Sequence, residues 1–229
     1  MDVDPEALKY QTGEPPTPDQ MADDVLISSD THREQRLPPG QSRTRKWPVL
    51  HASSVPEVTV DNWTLSIEGC VETPITLNWK QFSELKRVKV FADFHCVTKW
   101  SRLGNLWEGV STEEICNLVR PQTQARHVIA YGYDGQWSTN LPMNDFQASD
   151  ALLCDRHEGE LLSPDHGGPV RLIIPQRYAW KSAKWLQRLV FTPSDQPGFW
   201  EKAGYHNNAN PWNEERFSGA MPASYAEKI

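Results

Sequence analysis

Short runs in which apolar and polar positions alternate, or in which apolar residues follow one another, dominate the central part of the chain. Such runs with turn residues at their ends are typical of β-strands. Residues 58–60 and 63–67 follow period two up to Gly69, so one half-buried strand is expected there. Four further runs predict strands at residues 88–94, 127–131, 170–174 and 185–191.

Only two segments have the spacing of a helix. Asn78, a capping-type residue, precedes Phe82 and Leu85, which are three positions apart. Ser111 and Glu114 match a capping box ahead of a second apolar stripe. We therefore expect two short helices that begin after Asn78 and Ser111.

Strands outnumber helices, and the two kinds of element do not alternate in a βαβ rhythm. Residues 151–154 and 160–162 flank a Glu158-Gly159 turn, which predicts an antiparallel hairpin. The pattern favours an α+β fold that is mixed, β-rich and largely antiparallel, with short helices.

Three parts of the chain differ in character. Residues 1–40 begin with an acidic, proline-interrupted stretch and predict an N-terminal arm that is flexible or draped over the surface. The regular pattern falls within residues 41–192, which we interpret as the folded domain. Residues 193–229 are Trp-rich and lack periodicity, so an irregular tail that wraps the domain is expected.

Charge and hydropathy exclude several classes of protein. The 229 residues carry a net charge of −7, which argues against a nucleic-acid binder. No apolar run of about 18 residues is present, so no membrane span is expected. The acidic N-terminus lacks an apolar export signal, which predicts a cytoplasmic location.

One segment reverses the charge of the chain. Residues 166–194 contain five basic side chains and no Asp or Glu, whereas the rest of the chain holds 18 basic and 30 acidic ones. An anion site is one interpretation, because Arg and Lys together suit phosphate; a solvated outer face of a strand is the other. The five residues are Arg171, Arg177, Lys181, Lys184 and Arg188.

Cys96 is the strongest single candidate for chemistry. It follows His95 at the end of a predicted strand and precedes a polar, basic loop, and nearby cations favour the thiolate that binds metals. A buried structural cysteine is the plainer interpretation. The four cysteines show no C-x-x-C pair, so free thiols are expected. Gly167 and Gly168 would let a ligand approach the backbone, although they also suit an ordinary turn.

Taken together and in this order, five segments resemble the molybdopterin-binding domain of the sulfite oxidase family, above all small bacterial proteins made of this domain alone. The similarity runs from about residue 40 to residue 192. The segments are residues 45–49, 93–101, 137–142, 165–175 and 178–185.

The resemblance implies an enzyme with molybdenum bound by molybdopterin, in which Cys96 is the metal ligand. Ten further positions match cofactor-contacting segments, and Lys181 is expected to add charge. The cofactor-binding set implied in this way is Thr44, Arg45, Lys46, Trp47, Cys96, Asp134, His166, Arg171, Lys181, Ser182, Ala183 and Lys184. Five tryptophans lie in or beside these segments: Trp47, Trp100, Trp137, Trp180 and Trp185.

The substrate pocket implied by the resemblance contains His95, Trp100, Arg102 and Trp137 beside Cys96. Lys99 and Trp100 occupy the loop in which the family places a sulfite-gripping Arg, and Trp137 stands where the family has a Tyr. These departures put sulfite in doubt.

The leading hypothesis is a molybdopterin-dependent oxidoreductase that transfers an oxygen atom on a small-molecule substrate. Since no cytochrome domain accompanies the match, we expect an external electron donor or acceptor protein. A non-catalytic module that binds an anion or a protein is the alternative. A thiol redox protein using Cys96 is a third possibility, but no resolving cysteine is adjacent in sequence.

Overall fold

The computed structural model describes residues 14–135 and 137–219. The first thirteen residues of the predicted arm and the last ten of the predicted tail lie outside the described residues. Twelve strands form two sheets in this part of the chain.

The first sheet has seven strands. Its order is β1-β5-β6-β9-β10, with β2 paired to β6 and β11 paired to β9. The strands are β1 (Val25–Ile27), β2 (Ser42–Arg43), β5 (Arg87–His95), β6 (Trp100–Ser111), β9 (Leu152–His157), β10 (Glu160–Leu161) and β11 (Arg171–Ile173).

The second sheet has five strands in the order β4-β3-β12-β7-β8. They are β3 (Thr64–Gly69), β4 (Ile75–Asn78), β7 (His127–Gly132), β8 (Ser138–Pro142) and β12 (Leu186–Thr192). Seven of the ten strand pairings among the described residues are antiparallel, which confirms the predicted mixed and largely antiparallel fold.

The four α-helices of the described chain are short: α1 (Trp79–Ser83), α2 (Thr112–Val119), α3 (Met143–Phe146) and α4 (Phe199–Lys202). The side chain of Asn78 accepts a hydrogen bond from Gln81 N, and that of Ser111 accepts one from Glu114 N. Both predicted caps are therefore present, because each side chain pairs a backbone donor that the first turn leaves free. No helix in the described chain is long and apolar enough to cross a bilayer.

The strand predictions were wrong at two kinds of position. Residues 58–60 are not a strand; Trp63 N donates to Thr59 O at 2.9 Å, and this turn delivers the chain into β3. The predicted basic loop after Cys96 is only a short turn, since β6 begins at Trp100 and continues for twelve residues.

Three clusters of buried side chains locate the core. The main one joins the two sheets through residues such as Leu65 and Leu172. A second lies around Phe94 and Trp107, and a third surrounds Cys96. The second and third clusters form the floor of a cavity at the end of β5.

Candidate active site

A cavity of about 470 Å³ opens where the end of β5, the β7–β8 turn and the segment after β11 meet. Eight of the residues predicted for the site line it, and all five of the tryptophans singled out in the sequence do so. Those eight are Trp47, Cys96, Trp100, Asp134, Trp137, Arg171, Ser182 and Lys184; Trp180 and Trp185 line it as well.

Cys96 is presented by a tight turn between β5 and β6. Its backbone N donates to Trp100 O at 2.8 Å, and Lys99, with a φ of 69°, reverses the chain. Thr98 Oγ1 donates to the Cys96 sulfur at 3.2 Å. Burial raises the pKa of the Cys96 thiol, and the hydrogen bond from Thr98 opposes that rise. The turn thus places one sulfur on the cavity wall with a donor that favours the thiolate.

Arg171 supplies a buried positive charge to the wall. Its two terminal nitrogens donate to His166 O at 2.8 Å and Ser182 O at 2.9 Å, both of which are neutral acceptors. Burial lowers the pKa of Arg171 to about 10, so the guanidinium is charged at neutral pH. Its charge is not neutralised by a carboxylate ion pair within the described residues.

Lys184 brings a second cation to the same side. Its Nζ donates to Asp165 O at 2.7 Å and to Leu50 O at 3.0 Å, and lies 3.4 Å from His51 Nδ1. Burial, with the charge of Arg171 nearby, lowers the pKa of Lys184 to about 7. An anion bound here would therefore favour the protonated amine.

Asp134 completes this charged side at the turn after β7. Ser53 Oγ donates to its Oδ2 at 2.8 Å, while the buried Oδ1 has no hydrogen-bond partner among the described residues. Burial raises the pKa of Asp134. The free oxygen is available to accept from a ligand donor.

His166 supports Trp47 from behind the wall. The two rings stack with centroids 3.9 Å apart, and His166 Nε2 lies 3.2 Å from Trp47 O. Thr44 N donates to Ser101 O at 2.9 Å, whereas Arg45 and Lys46 are exposed. These residues carry Trp47 to the cavity, and they are not themselves among its lining residues.

Aromatic rings that pack in the same cluster as Cys96 form another part of the wall, the aromatic side. Trp180 and Tyr205 meet edge to face at 5.1 Å, and Tyr205 lies 4.8 Å from Trp200. Phe199 continues the wall with a ring centroid 5.1 Å from that of Trp200. The cavity is therefore cationic at the Arg171 and Lys184 side and uncharged at this side.

Arg102 does not line the cavity. It is buried and forms an ion pair with Glu158 Oε1 at 2.5 Å, with further contacts to Asn105 and His157. Strand alternation puts Arg102 on the same face of β6 as Trp100, two residues farther from the turn that carries Cys96. Its guanidinium is held there by Glu158 and does not extend to the cavity.

Three other predicted residues are also absent from the wall. His95 is fully buried, with Nδ1 2.8 Å from Ser101 Oγ, and Ala183 contributes its carbonyl to Leu172 N at 2.8 Å. Lys181 donates to Glu201 Oε1 at 2.6 Å and to Asn140 O at 2.9 Å.

The basic segment divides once the chain folds. Arg177 pairs with Asp145 at 2.7 Å, and Arg188 pairs with Glu68 at 3.3 Å on the outer face of β12. The anion-site interpretation therefore fits Arg171 and Lys184, and the outer-face interpretation fits Arg188.

Sequence reasoning missed several lining residues, among them His51, Phe199, Trp200 and Tyr205. His51 follows the segment that resembles the family, and the other three lie in the irregular C-terminal stretch. The abundance of Trp and Phe in that stretch was the available signal, but no spacing connects it to Cys96.

The residues present fit a molybdopterin cofactor. Trp100 Nε1, Asp134 Oδ1 and Arg171 Nε are buried polar atoms without a hydrogen-bond partner among the described residues. A pterin carries several nitrogen and oxygen atoms that can pair with such groups, and its phosphate suits the charges of Arg171 and Lys184. A thiolate at Cys96 suits a metal already held by sulfur.

Three relatives of the chain are oxidoreductases or reductases by name. The chain is 42% identical over 184 residues to the uncharacterized oxidoreductase YuiH of Bacillus subtilis, covering 80% of this chain and 92% of that protein. It is 25% identical over 178 residues to the protein-methionine-sulfoxide reductase catalytic subunit MsrP of Campylobacter jejuni, covering 66% and 57%. It is 29% identical over 168 residues to the NADPH nitrate reductase of Aspergillus niger, covering 62% of this chain and 19% of that protein.

Among solved structures, the sulfane dehydrogenase SoxCD of Paracoccus pantotrophus aligns with a TM-score of 0.57 at 20% identity, covering 61% of this chain and 40% of that one. This likeness concerns the fold alone, and it agrees with the predicted sulfite-oxidase-type fold. A profile of the oxidoreductase molybdopterin binding domain matches residues 51–200, which confirms the predicted enzyme class and cofactor. The chain therefore belongs to the family of oxidoreductases built on the molybdopterin binding domain.

Proposed function

We propose that this protein transfers an oxygen atom to or from a small substrate at a molybdenum ligated by Cys96, and exchanges electrons with an external protein. The observation that carries the proposal is the position of the Cys96 sulfur on a cavity whose charged side offers Arg171 and Lys184 to an anion. Both features suit one ligand that carries a metal and a phosphate.

Molybdenum held by molybdopterin supplies two-electron redox chemistry, and the chain supplies position and electrostatics. Arg171 and Lys184 would bind the phosphate through charge-assisted hydrogen bonds. Asp134 would accept from a pterin donor, and Trp100 would donate its indole N–H. Thr98 keeps a hydrogen bond on the Cys96 sulfur and so favours the deprotonated ligand.

The uncharged aromatic side favours a neutral oxo compound over sulfite or nitrate. Arg102 is bound to Glu158 and does not reach the cavity, so it cannot hold an oxyanion beside Cys96. Trp180, Trp200 and Tyr205 instead offer apolar ring surface. The relative MsrP is a protein-methionine-sulfoxide reductase by name, which supports a sulfoxide as the substrate class.

Expression in a host that makes the molybdenum cofactor tests the ligand assignment. The purified wild-type protein should contain about one molybdenum per chain and absorb visible light through thiolate-to-metal charge transfer. Cys96→Ser should lose that absorption and the activity while keeping its fold, since the exchange changes one atom. Cys70→Ser, at a half-buried thiol outside the cavity, is the control and should behave as the wild type. Full absorption and activity in Cys96→Ser would overturn the assignment.

A substrate screen with artificial electron donors and acceptors tests the substrate class. Neutral sulfoxides should give kcat/KM values at least about tenfold above those for sulfite and nitrate, because an oxyanion would lose its hydration against uncharged rings. A preference for either oxyanion would contradict the proposal.

The other hypotheses predict different results. A metal-free protein of undiminished thermal stability would support the non-catalytic binding module, since a bound cofactor adds stability by linkage. A thiol redox protein needs a second thiol near Cys96. All four cysteines are free, and Cys96, Cys116 and Cys154 lie in three different core clusters. The identity of the electron partner and a cytoplasmic location remain predictions from the sequence.

A further inference from the structure

A buried carboxylate lies directly behind the aromatic side of the cavity. Glu201, on α4, has a side chain only 2% exposed, and its ion-pair partner Lys181 is 1% exposed. A single oxygen, Glu201 Oε1, receives Lys181 Nζ at 2.6 Å, Thr139 Oγ1 at 3.0 Å and Trp180 Nε1 at 3.0 Å. One atom on α4 therefore connects donors from two other segments, β8 and the turn at residues 179–181.

Each connected segment also carries an aromatic ring of the wall. Trp137 lies two residues before Thr139, Trp180 is itself one of the donors, and Trp200 precedes Glu201 on α4. The mutual position of these three rings consequently depends on where the carboxylate is held.

Lys181, which binds the same carboxylate oxygen, is itself bound to β8. Its ammonium also donates to Asn140 O at 2.9 Å and Asn140 Oδ1 at 3.1 Å, so its three protons all have acceptors. Asn140 in turn donates to Asp195 and Asn207, which lie on either side of α4 in the sequence. The network therefore fastens α4 to β8 at both ends.

Close packing fixes the same contact. A Cβ placed on Gly198, just before α4, would lie 2.2 Å from Ser138 O. The helix approaches β8 so closely that it has little room to shift, and the carboxylate meets its donors in one arrangement.

We propose that Glu201 is a positioning residue for substrate: its carboxylate, held by Lys181, sets the relative placement of Trp137, Trp180 and Trp200 beside Cys96. This role rests on the proposed oxygen-atom transfer only for its kinetic readout. Nothing in it requires Glu201 or Lys181 to touch substrate or cofactor, and neither lines the cavity.

Two double variants separate positioning from charge. Lys181→Met with Glu201→Gln removes both charges but keeps an acceptor for Trp180 Nε1 and Thr139 Oγ1. Lys181→Met with Glu201→Leu removes the charges and the acceptor together. Both replace a buried ion pair as a unit, which leaves no buried charge unpaired and lets both variants fold.

We expect the two double variants to differ in KM. The Gln variant should keep KM for the best substrate within about threefold of the wild type. In the Leu variant, KM should rise by about tenfold or more, while kcat and molybdenum content stay close to those of the Gln variant. The KM should rise because one hydrogen-bonded oxygen no longer fixes the three rings relative to one another. Equal KM values in the two variants, both close to wild type, would overturn the positioning role.

A second measurement needs no turnover. In cofactor-free protein labelled with ¹⁵N-tryptophan, the indole proton of Trp180, assigned with Trp180→Phe, should be protected from exchange in the wild type and in the Gln variant. It should exchange at least about tenfold faster in the Leu variant. Loss of protection without turnover on any substrate would refute the proposed function alone, whereas unchanged protection would refute the role of Glu201.

Discussion

Individual basic residues of the segment 166–194 differ in where their charge is used. Lys181, Arg177 and Arg188 each meet a carboxylate within the protein. Arg171 and Lys184 meet neutral carbonyl oxygens instead, so their charges face the cavity without neutralisation from an ion pair in the described chain. Whether a cation serves the fold or a ligand is thus decided residue by residue.

The pKa of Lys184, lowered to about 7, predicts anion binding that depends on pH. A lowered pKa means that Lys184 is protonated below about pH 7 and loses its proton as the pH rises through that value. Binding of an anion should therefore be strongest at low pH. The charged and titratable groups around it are Arg171, His51, His166, Asp165, Asp134 and Cys96.

Sulfate, which does not titrate in this range, is a suitable probe for calorimetry on the cofactor-free protein. Its affinity should fall by about tenfold between pH 6 and pH 8.5 at constant ionic strength. Lys184→Met should bind sulfate weakly, and its affinity should not fall in this way between pH 6 and pH 8.5. Lys80→Met, at an exposed surface lysine, is the control and should show the same fall in affinity as the wild type. If the fall persisted in Lys184→Met, another group would be responsible for the titration.

Arg102 predicts an effect on stability and not on substrate selection. Its side chain is 7% exposed and that of Glu158 is 10% exposed, so Arg102→Met leaves a buried carboxylate unpaired. We expect a loss of about 3–5 kcal/mol in the free energy of unfolding, measured by denaturant titration. Adding Glu158→Gln should restore most of it. If Arg102→Met instead changed KM without changing stability, Arg102 would have to act in the substrate pocket.

Among the elements, β6 shows why local pattern was insufficient. The strand contains Gly104, Asn105 and Gly109, residue types that are uncommon in strands. It is stable because its polar groups find partners: Asn105 Nδ2 donates to Ala92 O at 3.1 Å, and Gly104 N donates to Asp93 Oδ1 at 2.8 Å. Those partners belong to β5, across the turn that carries Cys96.

Gly109 predicts how closely β6 and β9 must approach. A Cβ at this position would lie 2.0 Å from Leu153 O, at the point where the register of the pair shifts. Gly109→Ala should lower the free energy of unfolding by about 1–3 kcal/mol through overpacking against a backbone that cannot move freely. Gly219→Ala, at a position where no atom of the described residues would lie within 4 Å of the new Cβ, is the control and should change it by less than about 0.5 kcal/mol. Equal effects would show that the two strands can separate.

For the molecule as a whole, one arginine holds the C-terminal stretch against the turn of Cys96. Arg216 donates to Val97 O at 2.7 Å and to Pro39 O at 3.2 Å, and lies over the ring of Tyr178 at 5.0 Å. The stretch that carries Trp200 and Tyr205 is therefore tied to both the N-terminal part of the chain and the cavity floor.

Arg216→Met should loosen that stretch without unfolding the protein. The amide of Ser218, which donates to Gly204 O, should exchange at least about tenfold faster by hydrogen exchange, while the amides of β12 keep their protection. Arg188→Met, on the outer face of β12, is the matched control and should leave Ser218 unchanged. Unchanged exchange in Arg216→Met would mean that packing alone retains the stretch.

The sequence predicted more of the fold and the cofactor side of the site than of the substrate side. Arg171, Lys184 and Cys96 lie within or next to strands whose local pattern is strong, and their segments resemble the family. Phe199, Trp200 and Tyr205 come from a stretch without periodicity, and no local rule connects them to a cysteine about one hundred positions earlier.

By itself, then, the sequence determined the kind of elements, the caps at Asn78 and Ser111, the enzyme family and the thiol at Cys96. Only the tertiary structure decided which charges remain free for a ligand, because pairing depends on carboxylates such as Glu201 and Glu158 that are distant in sequence. It also decided that β6 is a strand and that aromatic rings enclose Cys96. Local preferences act over a few residues, whereas burial and ion pairing are settled only when remote segments meet.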